Sequence, residues 1–384
     1  MVPITHVTPF ARSDGGMQGM VRRHRRRDVA IGFSPQVAAI FESAEPGGVD
    51  IGLGAAWWWT PHRLRQASRK LIHPITRGSV VVYHNGWALP LLAPDDRAHR
   101  RLAYLHSDWP GLAGAVGAMA PWCDGIICCS PELETVVRVA APEFPTGRIH
   151  ALQYPVDIPD GLQLPPVDES RIPGPIRIGI VGRVQYAQKR LDRLPGLLAA
   201  VQALGLVCEW HVIGDGRDRR RLASAVSGLC PVTFHGWLHG ADYWQQLARL
   251  DYILFLTDFE GLPIALLEAM HCGAVPLYPH IGGQGERYAA AVTAGGVYAS
   301  GDVAAAAAQL LALVHEPHQD LSRRSRELVA RHTAENYEAD FARVLRQIGE
   351  LPPIAATTTH RRPRWSDGLP LVAIGRFYPD AIWR

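Results

Sequence analysis

The sequence predicts an α/β protein of two domains, each built on a parallel sheet with helices on both faces. Its 384 residues exceed what one hydrophobic core usually organises, at about 150 residues per domain. In both halves, short apolar runs alternate with segments of helical length, as in doubly wound folds. Within these runs the apolar residues are continuous rather than alternating, which strands buried on both faces require.

The composition excludes several classes of protein. With 47% hydrophobic and 20% charged residues, the chain can bury large cores, which excludes wholesale disorder. The sequence contains no run of about 18 uncharged apolar residues and no signal-peptide pattern at its N-terminus, so we expect a cytoplasmic protein. The net charge of +3 is too small to predict nucleic-acid binding. The six cysteines are sparse and form no CxxC motif, so we expect reduced thiols.

Apolar runs predict the strands in chain order. In the first half they are residues 4–9, 79–83, 102–106 and 125–129. In the second half they are residues 176–181, 208–213, 231–235, 252–257 and 274–278. Helical spacing predicts the helices of the second half at residues 190–204, 217–227, 241–249, 262–271, 303–313 and 320–348.

A proline-rich stretch divides the chain. Residues 154–175 contain six prolines and little apolar periodicity, which is typical of a linker. The predicted domains are therefore residues 1–165 and residues 172–350, which the resemblance described below implies to be the acceptor-side and the donor-binding domain. Residues 351–384 form a tail of unpredicted fold, and packing of this tail against the N-terminal domain is left open.

The most specific segment is residues 258–273, which begins at a predicted strand end. Pro263 suits the first turn of a helix, so Glu260 is expected in the loop and Glu268 in the second turn. The backbone N–H groups of Gly261, Leu262 and Ile264 would face a phosphate, and Glu268 would accept ribose hydroxyls. The alternative is a solvated loop glutamate and an ordinary glutamate on a helix face.

A second candidate follows the strand at residues 176–181, where ligands of open α/β sheets bind. Gly182 and Arg183 come directly after this strand, and Lys189 follows; it is one of only two lysines in the chain. Arg183 can grip a diphosphate with two parallel hydrogen bonds, and Lys189 can place a charge where a leaving phosphate becomes negative. The alternative is an arginine and a lysine on the surface before a helix.

The glycines support no dinucleotide site, because Gly179 and Gly182 do not complete a GxGxxG motif. Gly282 and Gly283 follow a predicted strand and either keep a loop close to a ligand or form a plain turn.

These signals occur in a family-like order. They are Gly182-Arg183, Lys189, Gly214-Asp215-Gly216, Phe234-His235-Gly236, Glu260 and, eight positions on, Glu268. The order and spacing resemble the C-terminal domain of retaining family 4 glycosyltransferases of the GT-B fold, also described as glycosyl transferases group 1. Upstream, residues 4–9 followed by Gly15-Gly16 resemble the first strand and glycine loop of that family more loosely.

The resemblance implies a fold and a set of site residues. The fold is two doubly wound Rossmann-like domains that face each other across a cleft. Arg183 and Lys189 would bind the donor diphosphate, Glu260 would lie near the transferred sugar, and Glu268 would bind the ribose. His106 resembles the N-domain histidine that contacts the donor sugar, with His84 as a weaker competitor and a structural histidine as the alternative. Donor-contacting backbone is expected at Gly15, Gly16, Gly182, Gly214, Gly261, Leu262, Pro263 and Ile264.

The basic run Arg22 to Arg27 departs from the family pattern. It stands where an amphipathic helix and a second strand are expected, so we predict an abbreviated or altered N-terminal domain. With Trp57 to Trp59 it forms either a patch for a membrane surface or an anionic acceptor, or a solvated basic helix beside a packed aromatic cluster. Peripheral contact with the inner face of the membrane is left open on this basis.

We therefore expect a hexosyltransferase-like enzyme of glycan biosynthesis that moves a sugar from a nucleotide-diphosphate donor with retention of configuration. The acceptor is a glycan, a lipid-linked saccharide or a small molecule. No metal and no cofactor besides the nucleotide sugar are expected, because cations and backbone donors already meet the developing charge. The alternatives are a nucleotide-sugar epimerase, a phosphorylase, or a binding protein without turnover. The sequence does not predict the base, the sugar or the oligomeric state.

Overall fold

The structure is a computed structural model that describes residues 1–76, 78–87, 89, 99–159, 161–164, 174–354 and 371. Contacts divide the chain into two compact units. The first unit contains Met1–Gln153 together with Tyr337–Arg384, and the second contains Tyr154–Asn336.

The first unit is built on a parallel sheet whose central strands are buried over most of their length. In the described residues, the sheet has the order β3-β2-β1-β4-β5-β6-β7. Its strands are β1 Val2–Thr8, β2 Phe33–Ala39, β3 Ile51–Gly52, β4 Val80–His84, β5 Arg100–Leu105, β6 Gly125–Cys128 and β7 Ile149–Ala151. Its helices are α1 Gly16–Arg27, α2 Pro61–Leu71, α3 His73–Thr76, α4 Leu112–Met119 and α5 Pro131–Ala140.

The second unit has a second parallel sheet, with the strand order β10-β9-β8-β11-β12-β13. Its strands are β8 Ile176–Val181, β9 Cys208–Ile213, β10 Val232–Gly236, β11 Tyr252–Leu254, β12 Val275–His280 and β13 Val297–Ala299. Its helices are α6 Leu194–Ala203, α7 Arg219–Val226, α8 Gly240–Leu247, α9 Ile264–His271, α10 Gly283–Val292, α11 Val303–His315 and α12 His318–Val329. Helix α13 spans Ala334–Glu350.

The two sheets confirm the predicted α/β class. In each sheet the chain runs outward from one strand in both directions: β1 lies between β2 and β4, and β8 lies between β9 and β11. The strand order reverses at these positions, and ligands of open α/β sheets bind beyond the carboxyl ends of the strands there. The loops that follow β8 and β11 carry Lys189 and Glu260.

The prediction of an abbreviated N-terminal domain is wrong, because the expected helix and second strand are both present as α1 and β2. Helix α1 buries Met20, Val21, Arg23 and His24, so two of its basic residues belong to its inner face. The sequence pattern was misleading because acidic partners remote in sequence compensate these charges.

Most of the arginines in α1 form ion pairs within the first unit. Arg23 and Arg27 both contact Glu338, at 3.0 and 2.9 Å. Arg25 pairs with Asp50, and Arg22 lies 3.7 Å from Asp14. The basic run is therefore tied to carboxylates of its own unit.

The chain end differs from the predicted boundary at residue 350. The single helix expected over residues 320–348 is two helices, α12 and α13, and from Tyr337 onward the chain belongs to the first unit. The Ile354 N–H donates to Asp124 Oδ1 at 3.0 Å. Most of the tail, and part of the proline-rich stretch, lie outside the described residues.

Among the helices that the structure describes, none combines the length and the apolar character needed to cross a bilayer.

Candidate functional site

The loops after β8 and β9 pack backbone against backbone. The Gly182 N–H donates to the carbonyl of Ile213 at 2.9 Å, and the Val184 N–H donates to that of Asp215 at 2.9 Å. A Cβ atom on Gly214 would lie 2.1 Å from the Gly182 carbonyl oxygen, and one on Gly216 would lie 2.3 Å from that of Val184. The Gly-Asp-Gly segment therefore acts as a packing surface that fixes the loop bearing Arg183. This is the role that the structure gives to Gly214.

Lys189 and Glu260 form an ion pair at the reversal point of the second sheet. Lys189 Nζ lies 2.5 Å from Glu260 Oε1, and the two side chains are 19% and 9% exposed. Gln188 Nε2 donates to Glu260 Oε2 at 3.3 Å, and Thr257 Oγ1 lies 3.1 Å from Oε1. Three side chains thus hold the Glu260 carboxylate in place. The sequence did not predict that Lys189 would meet a carboxylate of its own site.

Arg183 is exposed at the end of β8. Arg190 and Arg193, which follow Arg183 in the sequence, both form ion pairs with Asp258, at 2.6 and 2.7 Å. Within the described part of the chain, by contrast, the Arg183 guanidinium forms no ion pair or hydrogen bond. A guanidinium in that position is available to bind an anion with two parallel hydrogen bonds.

Helix α9 begins two residues later than the predicted range of 262–271. Pro263 is its N-cap residue, with φ −66° and ψ 116°, and Ile264 is the first helical residue. The first N–H groups of a helix have no partner within it, so those at the start of α9 point out of its N-terminus. Gly273, with φ 92°, ends the helix as predicted.

The Gly282–Gly283 turn lies beside this helix start. Both residues have left-handed backbones, with φ of 75° and 87°, which favour glycine. A Cβ atom on Gly283 would lie 3.9 Å from the Gly261 carbonyl oxygen. The Glu286 carboxylate accepts from the N–H groups of Ile281 and Gly282, at 3.0 and 2.6 Å. The turn is therefore a glutamate-capped helix start next to the loop of Glu260.

Glu268 lies on α9 as predicted and is bound by a tyrosine. The Tyr243 hydroxyl donates to Glu268 Oε2 at 2.5 Å. Burial raises the pKa of Glu268 to about 7, against the effect of this hydrogen bond, which lowers it. The side chain is therefore poised between its neutral and charged forms near pH 7, and it can either donate to or accept from a hydroxyl.

In the first unit, Gly15 and Gly16 follow β1 and start α1. Gly15 is the N-cap residue, and its carbonyl accepts from the Gly19 N–H at 2.9 Å. Gly16 is exposed. Both residues thus lie near the carboxyl end of β1, where the sequence predicted them.

His106, at the end of β5, belongs to a buried chain of histidines that the sequence did not predict. His106 Nε2 lies 2.7 Å from His84 Nδ1, and His84 Nε2 lies 3.0 Å from His6 Nδ1. His6 Nε2 lies 3.0 Å from Asp28 Oδ2. The four side chains are at most 7% exposed. His84, which was the competitor for the role of His106, is its hydrogen-bond partner.

The other carboxylate oxygen of Asp28 begins a second series of hydrogen bonds, through His24 to Tyr337. Asp28 Oδ1 lies 2.9 Å from His24 Nδ1, and His24 Nε2 lies 2.9 Å from the Tyr337 hydroxyl. Burial opposes the charge on Asp28, but His24 and His6 hold the pKa of this carboxyl well below its usual range. Burial lowers the pKa of His106 to about 3 and that of His84 well below its ordinary value. Burial therefore favours the neutral forms of His84 and His106.

Two residues other than glycine have left-handed backbones in the described chain, and each adjoins a candidate site residue. They are Asn85, with φ 55°, next to His84, and Arg190, with φ 48°, next to Lys189. Such conformations cost of order 1–3 kcal/mol and cluster at functional sites.

Comparison with known proteins identifies a family for part of the chain and a fold for most of it. The family model described as glycosyl transferases group 1 matches residues 175–316. No curated protein sequence matches the chain.

Several solved structures resemble most of the chain. Anabaena HepE, in complex with UDP and glucose, has a TM-score of 0.70 at 13% identity, covering 90% of this chain and 100% of that one. A mutant of S. aureus TarM, in complex with UDP and other ligands, has 0.69 at 9% identity, covering 90% and 99%. Sucrose-phosphate synthase from Thermosynechococcus elongatus has 0.68 at 15% identity, covering 91% and 99%. At such identities the likeness shows the fold alone, and that fold is GT-B, as predicted.

Proposed function

We propose that this chain, of which residues 175–316 match the family model described as glycosyl transferases group 1, is a glycosyltransferase that takes a sugar from a nucleotide-diphosphate donor and transfers it with retention of configuration. The acceptor is a glycan, a lipid-linked saccharide or a small molecule. The observation that carries the proposal is the group of charges at the reversal point of the second sheet, where exposed Arg183 and the Lys189–Glu260 pair follow adjacent parallel strands.

The donor diphosphate is assigned to the cations of this site. Arg183 supplies two parallel N–H donors, which match phosphate geometry better than a lysine does. Glu260 compensates the charge of Lys189 and fixes the position of its ammonium group. A diphosphate would share that ammonium, so the negative charge that develops on the leaving phosphate would meet a cation already in place.

The helix start and Glu268 complete the proposed donor site. The N–H groups at the N-terminus of α9 add partial positive charge without a side chain. Glu268, held by Tyr243, would bind the ribose hydroxyls. We assign no general base, because in the retaining mechanism of the resembled family the leaving phosphate serves that purpose on the same face of the sugar.

We propose uridine as the base of the donor nucleotide, because the structures of HepE and TarM both contain UDP. The full chain is incubated with UDP-glucose, UDP-N-acetylglucosamine, GDP-mannose and ADP-glucose, each with and without a panel of saccharide acceptors. Released nucleoside diphosphate is measured, and the anomeric configuration of the product is read by proton NMR. We expect acceptor-dependent release from one donor and a product with the donor's anomeric configuration.

The other outcomes separate the alternatives. Isomerised donor without release of nucleoside diphosphate identifies an epimerase, and donor binding without either change identifies a binding protein. An inverted anomer contradicts the retaining mechanism while leaving the transfer itself intact.

A further inference from the structure

The first unit contains a buried group of two histidines and one aspartate. We propose that His6, His24 and Asp28 bind a divalent transition-metal ion, and that this ion has a structural role in the first unit. The proposal concerns residues of the first unit alone and does not depend on the proposed function.

Two short stretches of chain supply the three side chains. His24 lies in the last turn of α1 and Asp28 is the residue that caps this helix, so their i, i+4 spacing places both side chains on one face. His6 lies within β1, the strand at the reversal point of the first sheet. The ligand atoms of the three residues all lie within 4.8 Å of one another, which brings them together around one position.

The carboxylate of Asp28 presents one oxygen to each ring. Asp28 Oδ2 lies 3.0 Å from His6 Nε2, and Asp28 Oδ1 lies 2.9 Å from His24 Nδ1. Zinc bonds of about 2.1 Å bring two ligand atoms about 3.0 Å apart when the bonds meet at right angles. A bidentate carboxylate and two imidazoles therefore supply four protein atoms, the number that a closed structural zinc site requires.

Charge balance favours a cation at this position. His6 and His24 are fully buried and Asp28 is 1% exposed. Although burial opposes its charge, the two rings hold the pKa of this carboxyl well below its usual range. In the part of the chain that the structure describes, Asp50 and Glu338 pair with arginines of α1, whereas Asp28 contacts imidazoles. Buried charges are paired or coordinate metals, and two neutral rings would leave the charge of Asp28 unbalanced.

The second nitrogen of each ring also has a partner, as in metal sites. His6 Nδ1 lies 3.0 Å from His84 Nε2, and His24 Nε2 lies 2.9 Å from the Tyr337 hydroxyl. Histidine ligands almost always donate their second N–H to such a partner, which fixes the tautomer and the orientation of the ring. Burial lowers the pKa of His6, which favours the neutral form of the ring that binds metals.

The alternative is direct hydrogen bonding without an ion. The distances of 3.0 and 2.9 Å are also ordinary hydrogen-bond lengths, so the two states must be separated at the protons. A bound ion takes the lone pair of His6 Nε2 and leaves the N–H on Nδ1, facing His84. Direct hydrogen bonding to the ionised Asp28 requires instead that the N–H is on His6 Nε2.

The ion would join three elements of the first unit. His6 belongs to β1, His24 lies in α1, and Tyr337, which contacts His24, belongs to α13. A preformed metal site rarely exists in an unfolded chain, so the free energy of metal binding adds to the free energy of folding. We therefore expect the bound ion to raise the thermal stability of the protein.

Elemental analysis of the full chain is the first measurement. The protein is expressed with zinc in the medium, passed over a chelating resin and analysed for manganese, iron, cobalt, nickel, copper and zinc. We expect about one equivalent of zinc per chain, and X-ray absorption at the zinc edge should show nitrogen and oxygen ligands at about 2.0–2.2 Å. One equivalent of another of these metals with the same ligands supports the site and replaces zinc as its ion. Protein without bound metal, or with metal bound by sulfur, overturns the proposal.

Variants locate the ion. Asp28→Asn and His24→Gln keep the approximate size of each side chain and remove a good ligand, so we expect both to lose the metal. His62→Ala, which changes an exposed histidine, is one control. His235→Gln is another, because it removes one ring of the His211–His235 contact at 3.1 Å. Both controls should keep the metal. Retention of the metal by Asp28→Asn and His24→Gln, or its loss in the controls, overturns the assignment.

Wild type alone decides the question if these variants do not fold. Protein expressed with added zinc should unfold at a higher temperature than protein expressed without it. A long-range proton–nitrogen correlation of histidines labelled with nitrogen-15 should show at least one ring with its N–H on Nδ1 in the first sample and on Nε2 in the second. Equal unfolding temperatures contradict the structural role, and identical histidine spectra contradict binding by His6.

Discussion

At the residue scale, the candidate donor site depends on charges that are paired before any ligand binds. Lys189 and Glu260 form an ion pair whose side chains are mostly buried. Arg183, by contrast, is exposed and forms no ion pair within the described residues. Removing the two cations should therefore have different effects on stability, although both should weaken donor binding.

Variants of the Lys189–Glu260 ion pair should change the free energy of unfolding and the activity to different extents. Lys189→Met should leave the Glu260 carboxylate without its cation and lower the free energy of unfolding by about 2 kcal/mol. The double variant Lys189→Met with Glu260→Gln should regain most of that loss but not the activity, because the phosphate cation is still missing. Urea unfolding and release of nucleoside diphosphate measure the two quantities. Recovery of activity in the double variant would refute the role of Lys189.

The buried carboxyl group of Glu268 should make the free energy of unfolding depend on pH. Its pKa is raised by burial from an ordinary value of 4.5 to about 7, so folding favours the neutral acid. The stabilisation that this gives is complete below about pH 4.5 and is lost as the pH rises through 7. Glu268→Gln, which resembles the neutral acid, should therefore be more stable than wild type above pH 7 by about 3 kcal/mol, and the difference should vanish near pH 4.5.

Urea unfolding at several pH values checks this expectation. Tyr243→Phe is the matched control, because the lost hydrogen bond favours the charged form of Glu268, and its stability should fall more steeply with pH than that of wild type. Parallel stability curves for wild type and Glu268→Gln would show that the carboxyl titrates normally.

At the scale of elements, much of the fold could be predicted because most strands are short runs of mainly apolar residues. Strand β9 lies at Cys208–Ile213 and strand β8 at Ile176–Val181, as the sequence predicts. The role of the arginines in helix α1 could not be predicted from the sequence. The carboxylate that pairs with Arg23, that of Glu338, lies more than 300 positions away along the chain. The break between α12 and α13 was missed because both segments have the same helical periodicity.

The histidine chain escaped prediction for the same reason. His6, Asp28, His84 and His106 are scattered over the first unit, and only the sheet brings them together. The available signals were a histidine inside the apolar run of β1 and the i, i+4 pair His24 and Asp28. In the second unit Arg183, Lys189 and Glu260 were predictable because they lie in the loops that follow β8 and β11, and the carboxyl ends of parallel strands lie at the same edge of a sheet.

The loop contact between β8 and β9 predicts that Gly214 tolerates no side chain. In Gly214→Ala the new Cβ atom would lie 2.1 Å from the Gly182 carbonyl oxygen, so the loop bearing Arg183 must move. We expect a loss of at least about 3 kcal/mol in the free energy of unfolding, combined with loss of donor binding.

Gly205→Ala is the matched control for that variant. Gly205 also has a left-handed backbone, with φ 75°, but nothing lies within 4 Å of the added Cβ. Its cost should be about 1 kcal/mol of backbone strain, with donor binding unchanged. Equal effects of the two substitutions would mean that backbone conformation, and not the packing of the two loops, accounts for Gly214.

At the scale of the whole molecule, the chain returns to its first unit after completing the second. From Tyr337 onward helix α13 belongs with Met1–Gln153. Tyr337 contacts His24, and Glu338 contacts Arg23 and Arg27 of α1. The stability of the first unit therefore depends on residues that follow the second unit in the sequence.

Glu338→Ala tests this dependence. Arg23 is 2% exposed, so loss of its carboxylate partner should lower the free energy of unfolding by about 3 kcal/mol. Asp340→Ala, on the same helix, removes an exposed pair with Arg343 in which the side chains are 51% and 50% exposed, and it should change stability by less than about 0.5 kcal/mol. Urea unfolding compares the two variants. Similar values for both would show that the Glu338 contacts do not stabilise the first unit.

The most direct test of the account is the affinity of the full chain for nucleoside diphosphates. Wild type, Arg183→Ala and Lys189→Met are titrated calorimetrically with UDP, GDP and ADP. We expect one nucleotide to bind wild type, and to bind both variants at least tenfold more weakly. Binding of that nucleotide with the same affinity to all three proteins, or no binding of any nucleotide to wild type, would contradict a donor site formed by these two cations.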